Sequence, residues 1–418
     1  MRVSPALSTL VLVATSACTG PSGPPIGPRS ALLIRAIDAP KTPDFLARPR
    51  TLIAHLDDGP LKTALARCDG HPLVATRFSI GHRGAARGFP EHTRESYQAA
   101  ATMGAGLIEC DVTFTKDKKL VCRHSQCDLA TTTNILAVPA LAAKCAAPFS
   151  PADLVTGKEA SARCCTSDLT LAEFSSLCGK MDGHDPRATT PAAYLKSAAD
   201  ADSAVTCGKV MSHAESIAVI DRRGRDFVPE LKAPEVPMPF DGYTLDDFAE
   251  ALADDYRAAG VAPRRIFVQS ANLRDLTYWS EHAPELAANA IYLDESVDTK
   301  DGYAAAVAAL PGLAARGIHT VAPPMWALVD LDATGRIVPS LYAKTAKASG
   351  LDLVTWTLER SGSLEHGGGY YYQSVRAAIH GEGDIFRVLD VLATDVGIRG
   401  IFSDWPATST YYANCMGL

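Results

Sequence analysis

Three acidic side chains lie inside apolar segments of the sequence, where a charge is costly unless it is paired or bound to a metal. Glu109 and Asp111 are two residues apart in one such segment, so on a β-strand both side chains point to the same face. Glu230 supplies a third carboxylate from another segment. Three carboxylates without Cys or His favour a hard divalent ion, Ca²⁺ or Mg²⁺, over zinc. The alternative is a set of salt bridges with Arg83 and Lys232.

Two histidines follow apolar segments in the same way. His82 comes directly after the segment 78–81, and His124 comes directly after the segment 120–123. Each imidazole titrates near neutral pH, so a pair beside a carboxylate cluster can act as general acid and general base. For either histidine alone, a buried structural role is the alternative. Eight other histidines lack such surroundings and are expected to be structural or on the surface: His55, His71, His184, His213, His282, His319, His366 and His380.

The segments that carry these residues alternate with amphipathic stretches. One stretch, 244–259, begins with Thr244 as N-cap and Asp247 three residues later, and it ends before Gly260. Strands that alternate with helices predict a parallel sheet, and eight of them predict a closed (β/α)8 barrel, the TIM barrel fold. The segment 320–322 is either a ninth strand or an extended loop. The eight predicted strands are 78–81, 107–112, 120–123, 227–231, 266–269, 290–293, 351–357 and 400–403.

A long insertion, residues 125–226, separates the third and fourth predicted strands. In a (β/α)8 barrel, the loop after a strand opens onto the face where active sites lie. We therefore expect the insertion to cap the active site as a wall or a lid. The barrel domain as a whole is predicted to span residues 75–418.

The N-terminus resembles an export signal. Arg2 precedes a mostly apolar run, residues 6–14, which is far shorter than the ~20 residues needed to span a bilayer. We predict a signal peptide over residues 1–17 and lipid modification of Cys18, with plain secretion as the alternative. Residues 18–74 would then contain the anchor site, a Pro/Gly-rich linker and an N-terminal lead. Both alternatives predict an extracytoplasmic protein, either a cell-envelope lipoprotein or a secreted or periplasmic one, with membrane contact only through the anchor.

The charge balance excludes one class of partner. The chain has 40 Lys and Arg against 47 Asp and Glu, a net charge of −7. It therefore lacks the basic surface that nucleic-acid binding usually requires, and no nucleic-acid partner is expected.

Eleven cysteines indicate an oxidising compartment. Cys110 and Cys122 fall inside predicted strands, where we expect them to be small buried hydrophobic residues. The neighbours Cys164 and Cys165 are expected to have different partners, because a ring closed between adjacent residues is strained. Cys68 and Cys415 lie near the two ends of the domain. Disulfides are expected to staple the insertion, which contains Cys127, Cys145, Cys164, Cys165, Cys178 and Cys207.

An ordered series of short motifs spans residues 78 to 406. The motifs are Ile80-Gly81-His82-Arg83-Gly84, Pro90-Glu91-His92-Thr93, Ile108-Glu109-Cys110-Asp111-Val112, Val121-Cys122-Arg123-His124, Pro229-Glu230-Leu231-Lys232, Val268-Gln269-Ser270, Val354-Thr355-Trp356-Thr357 and Gly400-Ile401-Phe402-Ser403-Asp404-Trp405-Pro406. With this series the chain resembles the glycerophosphodiester phosphodiesterase family. The resemblance implies a (β/α)8 barrel. The chain departs from the family's usual residues at His92, Ser125 and Glu359, which replace Asn, Asp and Asn.

The resemblance also implies a role for each candidate residue. His82 and His124 would be the general acid and base. The ligands of one divalent cation, Ca²⁺ or Mg²⁺, would be Glu109, Asp111 and Glu230. The substrate-binding residues would be Arg83 and Lys232 on the phosphate, Glu91 as support of the first catalytic loop, Trp356 as an apolar wall for the glycerol, and Gln269.

The implied activity is metal-dependent hydrolysis of a small-molecule glycerophosphodiester to an alcohol and glycerol 3-phosphate, through a cyclic phosphate. One alternative is a phospholipase of the sphingomyelinase D or lysophospholipase D type. Another, from a different class, is a lipoprotein that binds phosphodiesters without turnover.

Overall fold

The computed structural model describes residues 44–299 and 301–418. The predicted signal peptide, residues 1–17, and the predicted lipid site, Cys18, lie outside the described residues. Within them, eight strands pair in parallel and form a closed ring, in which the last strand is bonded to the first. The strands are β1 (Thr76–Gly81), β2 (Ala105–Phe114), β3 (Asp226–Leu231), β4 (Gln269–Ser270), β5 (Ile291–Leu293), β6 (Thr320–Ala322), β7 (Asp352–Thr355) and β8 (Gly400–Ser403). The predicted TIM barrel is confirmed.

A helix follows each strand along the chain. The helices are α1 (Arg94–Thr102), α2 (His213–Arg222), α3 (Leu245–Ala259), α4 (Leu273–His282), α5 (Gly302–Ala315), α6 (Leu341–Ala348), α7 (Asp384–Val391) and α8 (Ala407–Met416). Helix α3 has the ends that the sequence predicts. The Thr244 hydroxyl accepts a hydrogen bond from the Asp247 N–H, and the Asp247 carboxylate accepts one from the Thr244 N–H. Gly260 ends the helix with a φ of 66°.

Two predicted segments differ in the barrel. The third predicted strand, 120–123, is not a barrel strand, because Leu120–Cys122 pairs antiparallel with the end of β2. The connection between the two strands, residues 115–119, is too short for parallel pairing, because a strand that pairs in parallel with the preceding strand needs a crossover of about a dozen residues or more. The segment 320–322, left open as strand or loop, is barrel strand β6. The insertion therefore follows barrel strand β2 and its hairpin.

The insertion forms a small unit with its own buried apolar cluster, which includes Leu129, Phe174 and Tyr194. Its end lies earlier than predicted, because α2, within 125–226, is a barrel helix. Its strands are Ala147–Ser150 with Ser161–Arg163, and Cys178–Gly179 with Gly208–Lys209. Its helical turns are Leu129–Thr132, Ile135–Ala137, Pro139–Ala142, Thr166–Asp168, Leu171–Phe174, Pro191–Tyr194 and Ala198–Asp202.

Ten cysteines of the described residues form five disulfides. The three within the insertion are Cys127–Cys165, Cys145–Cys164 and Cys178–Cys207. The predicted stapling of the insertion and the separate partners of Cys164 and Cys165 are thus confirmed. Cys110 and Cys122 are buried as predicted, but they form a disulfide instead of serving as small hydrophobic residues. The β2 hairpin brings their Cα atoms to 5.3 Å, a proximity that the assignment of 120–123 to a separate barrel strand conceals.

The remaining elements surround the barrel. Two helices, Ala47–Ala54 and Pro60–Ala66, precede β1, and the Cys68–Cys415 disulfide ties this segment to α8. No helix of the described residues is both long and apolar enough to cross a membrane. The other elements are Pro263–Arg265, Pro284–Ala287, Glu295–Asp298, Met325–Leu328, Val329–Leu331, Ile337–Pro339, Leu364–His366, Tyr370–Ala378 and Leu392–Val396.

Candidate active site

The alternation of side chains along β2 places two carboxylates inside the barrel. Leu107 belongs to the apolar cluster that fills the barrel interior. Glu109 and Asp111 follow at intervals of two and therefore share its face. Cys110, between them, packs in the outer core against the helices. The sequence pattern of β2 thus directs acids to the interior and a sulfur atom to the helix layer.

The strand register brings a third carboxylate to the same level. Asp111 of β2 pairs with Glu230 of β3, and Glu230 pairs in turn with Gln269 of β4. Oxygen atoms of Glu109, Asp111 and Glu230 lie within 4.8 Å of one another, and all three residues are buried. The structure therefore gathers the three acids that the sequence singles out.

Neighbouring donors hold these carboxylates in place. Glu109 accepts hydrogen bonds of 2.8 Å from the Arg83 backbone N–H and from Gln269 Nε2. Lys232 Nζ donates to Glu230 at 2.6 Å. Both Gln269 and Lys232 thus contact the acidic cluster directly, although Gln269 does so from outside the cavity lining.

Burial and neighbouring carboxylates disfavour the charged forms of Glu109 and Glu230. Burial raises the pKa of Glu109 well above its usual value, and the charges of Asp111 and Glu230 act in the same direction. Burial likewise raises the pKa of Glu230 to about 7. Asp111 Oδ1 is buried and has no hydrogen-bond partner within the described residues. A divalent cation would supply the missing charge and the missing partner, so the donor set fits a hard ion.

His92 supports the cluster from behind. Its Nε2 lies 3.0 Å from Asp111 Oδ2, and its Nδ1 lies 3.0 Å from the Tyr97 hydroxyl. The residue that departs from the family pattern at this position therefore contacts a carboxylate of the cluster. The sequence identified the departure but not the contact.

The two predicted catalytic histidines line the same cavity as the carboxylates. His82 Nδ1 lies 2.6 Å from Asp404 Oδ1, and His82 Nε2 lies 3.9 Å from Glu109 Oε2. Burial lowers the pKa of His82 to about 4, although Asp404 acts in the opposite direction. Burial also holds the pKa of His124 well below its usual value, with the charges of Arg83 and Lys232 adding to the effect. In the protein alone, both shifts favour the neutral imidazole.

A buried ion-pair chain lies behind the first histidine. Arg83 Nη1 donates to Glu91 at 3.0 Å, and Arg360 Nη2 lies 3.5 Å from the same carboxylate. Arg360 Nε also donates to Asp404 at 2.9 Å. Glu91 does not line the cavity, and its structural contact is with the Arg83 guanidinium. This series of ion pairs fixes Arg83 at the cavity wall and Asp404 against His82.

The carboxylates, the two histidines and the cations Arg83 and Lys232 form the base of a cavity of about 280 Å³. Of the predicted site residues, those that line it are His82, Arg83, Glu109, Asp111, His124, Glu230, Lys232 and Trp356. The other lining residues are Leu293, Glu295, Tyr370, Tyr371 and Phe402. We use "base" for the carboxylates, histidines and cations, and "rim" for Glu295, Tyr370 and Tyr371.

The predicted cap does not line this cavity. No residue of 125–226 borders it in the part of the chain that the structure describes. The rim instead comes from Glu295–Asp298 after β5 and from Tyr370–Ala378 after β7. The insertion packs on the hairpin of β2, where Gln126 and Thr166 donate to the Phe114 carbonyl. Those contacts hold it to the barrel without bringing its side chains to the cavity.

Sequence reasoning missed two kinds of residue. Asp404 directly follows strand β8, so its position at a strand end is a signal that could have identified it. Tyr370 and Tyr371 begin a short helix, Tyr370–Ala378, in the long connection after β7, where neither periodicity nor spacing predicts their position.

The chain is similar to known proteins over most of the barrel. Residues 82–408 match the model of the glycerophosphoryl diester phosphodiesterase family. An Arthroderma benhamiae protein named "Extracellular protein" is 49% identical over 245 residues, which cover 57% of this chain and 100% of that protein. A Bacillus subtilis glycerophosphodiester phosphodiesterase is 46% identical over 70 residues, 16% of this chain and 24% of that enzyme.

One solved structure supports the fold. A Silicibacter pomeroyi protein assigned to the glycerophosphoryl diester phosphodiesterases has a TM-score of 0.53 and 21% sequence identity. The similarity covers 85% of this chain and 98% of that one. At this identity the similarity concerns the barrel architecture alone.

Proposed function

The chain belongs to the glycerophosphoryl diester phosphodiesterase family and is a phosphodiesterase of that family, and we propose that it hydrolyses glycerophosphodiesters to glycerol 3-phosphate and an alcohol. The main support for this proposal is the set of residues at the cavity base. The cavity base combines two histidines, three clustered carboxylates and two cations around one small space. That set matches the needs of phosphodiester cleavage, in which protons must move and negative charge must be offset.

In this proposal, Glu109, Asp111 and Glu230 hold one divalent cation, Ca²⁺ or Mg²⁺. The crowding of the three acids and the unpartnered Asp111 Oδ1 support such a ligand set. The ion, when bound, would stabilise negative charge on the phosphoryl oxygens and acidify a hydroxyl group of the substrate. Gln269 orients Glu109 through its hydrogen bond, and His92 orients Asp111.

His82 is assigned as the general base of the first step. Its Nδ1 faces the Asp404 carboxylate, so the ring proton resides there and Nε2 presents its lone pair to the cavity. Nε2 would accept the proton of the glycerol 2-hydroxyl as that oxygen attacks phosphorus. Asp404 then stabilises the imidazolium that forms, in the same way as the aspartate of a Ser-His-Asp triad.

His124 is assigned as the general acid that protonates the departing alcohol. Burial, and after it the cations Arg83 and Lys232, lower the pKa of His124 and disfavour its protonated form in the protein alone. A bound phosphate anion would offset both cations and thereby favour imidazolium at His124. Water then opens the cyclic phosphate with the roles of the two histidines reversed.

The remaining side chains would bind the substrate. Arg83 and Lys232 would contact the phosphate oxygens, and Glu91 would fix the Arg83 guanidinium. Trp356, whose indole N–H donates to the Ala322 carbonyl at 2.9 Å, would present its ring to the glycerol carbons.

The proposed location is outside the cytoplasm. Five disulfides support an oxidising compartment, and the similar Arthroderma protein carries the name "Extracellular protein". Lipid attachment at Cys18 remains a prediction.

The products of glycerophosphocholine turnover test the function. Purified protein is incubated with the diester, and the products are identified by ³¹P NMR. The proposal predicts glycerol 3-phosphate and choline, with a cyclic phosphate detectable early in the reaction. Phosphocholine as product, or turnover of lysophosphatidylcholine with none of the deacylated diester, would contradict it.

A further inference from the structure

A continuous strip of aromatic rings leads from Trp356 to the rim residues Tyr371 and Tyr370. The Trp356 and Tyr371 ring centroids are 6.0 Å apart at an interplanar angle of 79°, and those of Tyr371 and Tyr370 are 4.9 Å apart at 82°. Trp356 and Tyr371 are half-buried, whereas Tyr370 is 41% exposed. The strip therefore runs from the interior of the cavity to the solvent.

Carboxylates accompany the aromatic strip at the rim. Glu295 lines the cavity, and Asp298 of the same short helix accepts a hydrogen bond from the Tyr370 hydroxyl. The cationic residues among the described lining residues, Arg83 and Lys232, belong to the base. The cavity thus offers cations where a phosphate would bind, and aromatic rings with negative charge further out.

We propose that the rim is a head-group subsite for a cationic alcohol of the quaternary ammonium class, as in choline. Such a cation has no N–H to donate, so it is recognised by the negative potential of aromatic rings and by nearby carboxylates rather than by hydrogen bonds. A purely apolar head group would gain from the rings but not from Glu295. This inference rests on the proposed function, because it names the substrate class of the same site.

A pair of substrates of equal shape isolates the charge. Glycerophosphocholine is compared with its neutral carbon analogue, the 3,3-dimethylbutyl diester, in which a carbon atom replaces the nitrogen. The expected preference in kcat/KM is about tenfold for the cationic diester, from the usual strength of cation–π contacts. The preference should weaken as salt rises, because Glu295 is exposed.

Variants of the rim assign the preference to its residues. Tyr371→Leu and Tyr370→Leu should bring the ratio of the two kcat/KM values toward one, whereas Tyr371→Phe and Tyr370→Phe should retain it because the ring remains. Glu295→Gln should lower the ratio through the loss of charge. An unchanged ratio in all three of Tyr371→Leu, Tyr370→Leu and Glu295→Gln would overturn the assignment to the rim.

The outcomes separate this inference from the proposed function. Turnover of both diesters with equal kcat/KM overturns the head-group subsite and leaves the phosphodiesterase intact. If neither diester is turned over, both the head-group subsite and the proposed function are overturned. Lysophosphatidylcholine, which carries the same cation, is measured in parallel to determine whether acylated diesters also reach the subsite. A cation preference between the two deacylated diesters supports the proposal whichever result that arm gives.

Discussion

The base and the rim of the cavity are built from different parts of the barrel. The base residues Glu109, Asp111 and Glu230 lie on strands, and the register of the sheet fixes their spacing. The rim residues Glu295, Tyr370 and Tyr371 come from short helices in the connections after β5 and β7. The residues proposed to hold the metal ion thus lie on the sheet, where small displacements are restricted. The residues proposed to select the substrate lie on the connections between strands and helices. Substitutions should therefore divide into large effects on turnover at the base and small effects on selectivity at the rim.

The largest effect is expected from His124→Ala. Removal of a proton donor should lower kcat for glycerophosphocholine by about 10² to 10⁴. The side chain lines the cavity, so its loss should leave the unfolding transition largely unchanged. His71→Ala, at an exposed histidine, serves as the control and should retain full turnover. A His124→Ala variant as active as the control would remove this residue from the reaction.

Asp404→Asn tests the support of the base. The amide cannot hold the Nδ1 proton of His82 as the carboxylate does, so kcat should fall by about 10² or more. The chain contains a matched pair away from the cavity, in which His213 Nδ1 lies 2.8 Å from Asp255. Asp255→Asn should leave kcat unchanged. Equal kcat values in the two variants would show that Asp404 does not act on the reaction through His82.

The disulfide behind the base gives the next effect. Replacing both Cys110 and Cys122 by Ala should lower the free energy of unfolding by about 2 to 4 kcal/mol. Because Cys110 lies between Glu109 and Asp111, turnover of the folded variant should fall as well. Replacing Cys178 and Cys207, which staple the insertion, should lower stability but spare turnover. Urea unfolding and initial rates measured on both double variants check this difference.

The smallest effect is expected at the rim. Tyr370→Leu should change kcat/KM for glycerophosphocholine by about tenfold or less, because one partly exposed ring contributes a weak contact. Its free energy of unfolding should stay within about 0.5 kcal/mol of the wild type. A loss of turnover as large as that of His124→Ala would end the division between base and rim.

The same division explains what the sequence predicts. Alternation along β2 and strand-end positions are local patterns, so they identify Glu109, Asp111 and His82 and the barrel that holds them. These patterns do not state which strands pair or in which direction. The segment 120–123 is therefore predicted as a barrel strand and the Cys110–Cys122 disulfide is missed, although the short connection 115–119 favours a hairpin.

The rim was beyond sequence reasoning for a related reason. The path of the connection after β7 depends on its packing, and no periodicity places Tyr371 beside Trp356. The length of the insertion predicted a cap, but its own apolar cluster and its contacts with the β2 hairpin hold it away from the cavity. Length alone indicates that a segment is inserted and not which surface it covers.

We propose that the carboxylate cluster of the base binds a divalent ion that turnover requires. The most direct test is the initial rate of glycerol 3-phosphate release from glycerophosphocholine in excess chelator, followed by titration with Ca²⁺ or Mg²⁺. We predict loss of activity in chelator and saturable recovery at one ion per chain, with Glu230→Gln shifting recovery to higher ion concentrations. Full activity in excess chelator would contradict a metal requirement at this cluster.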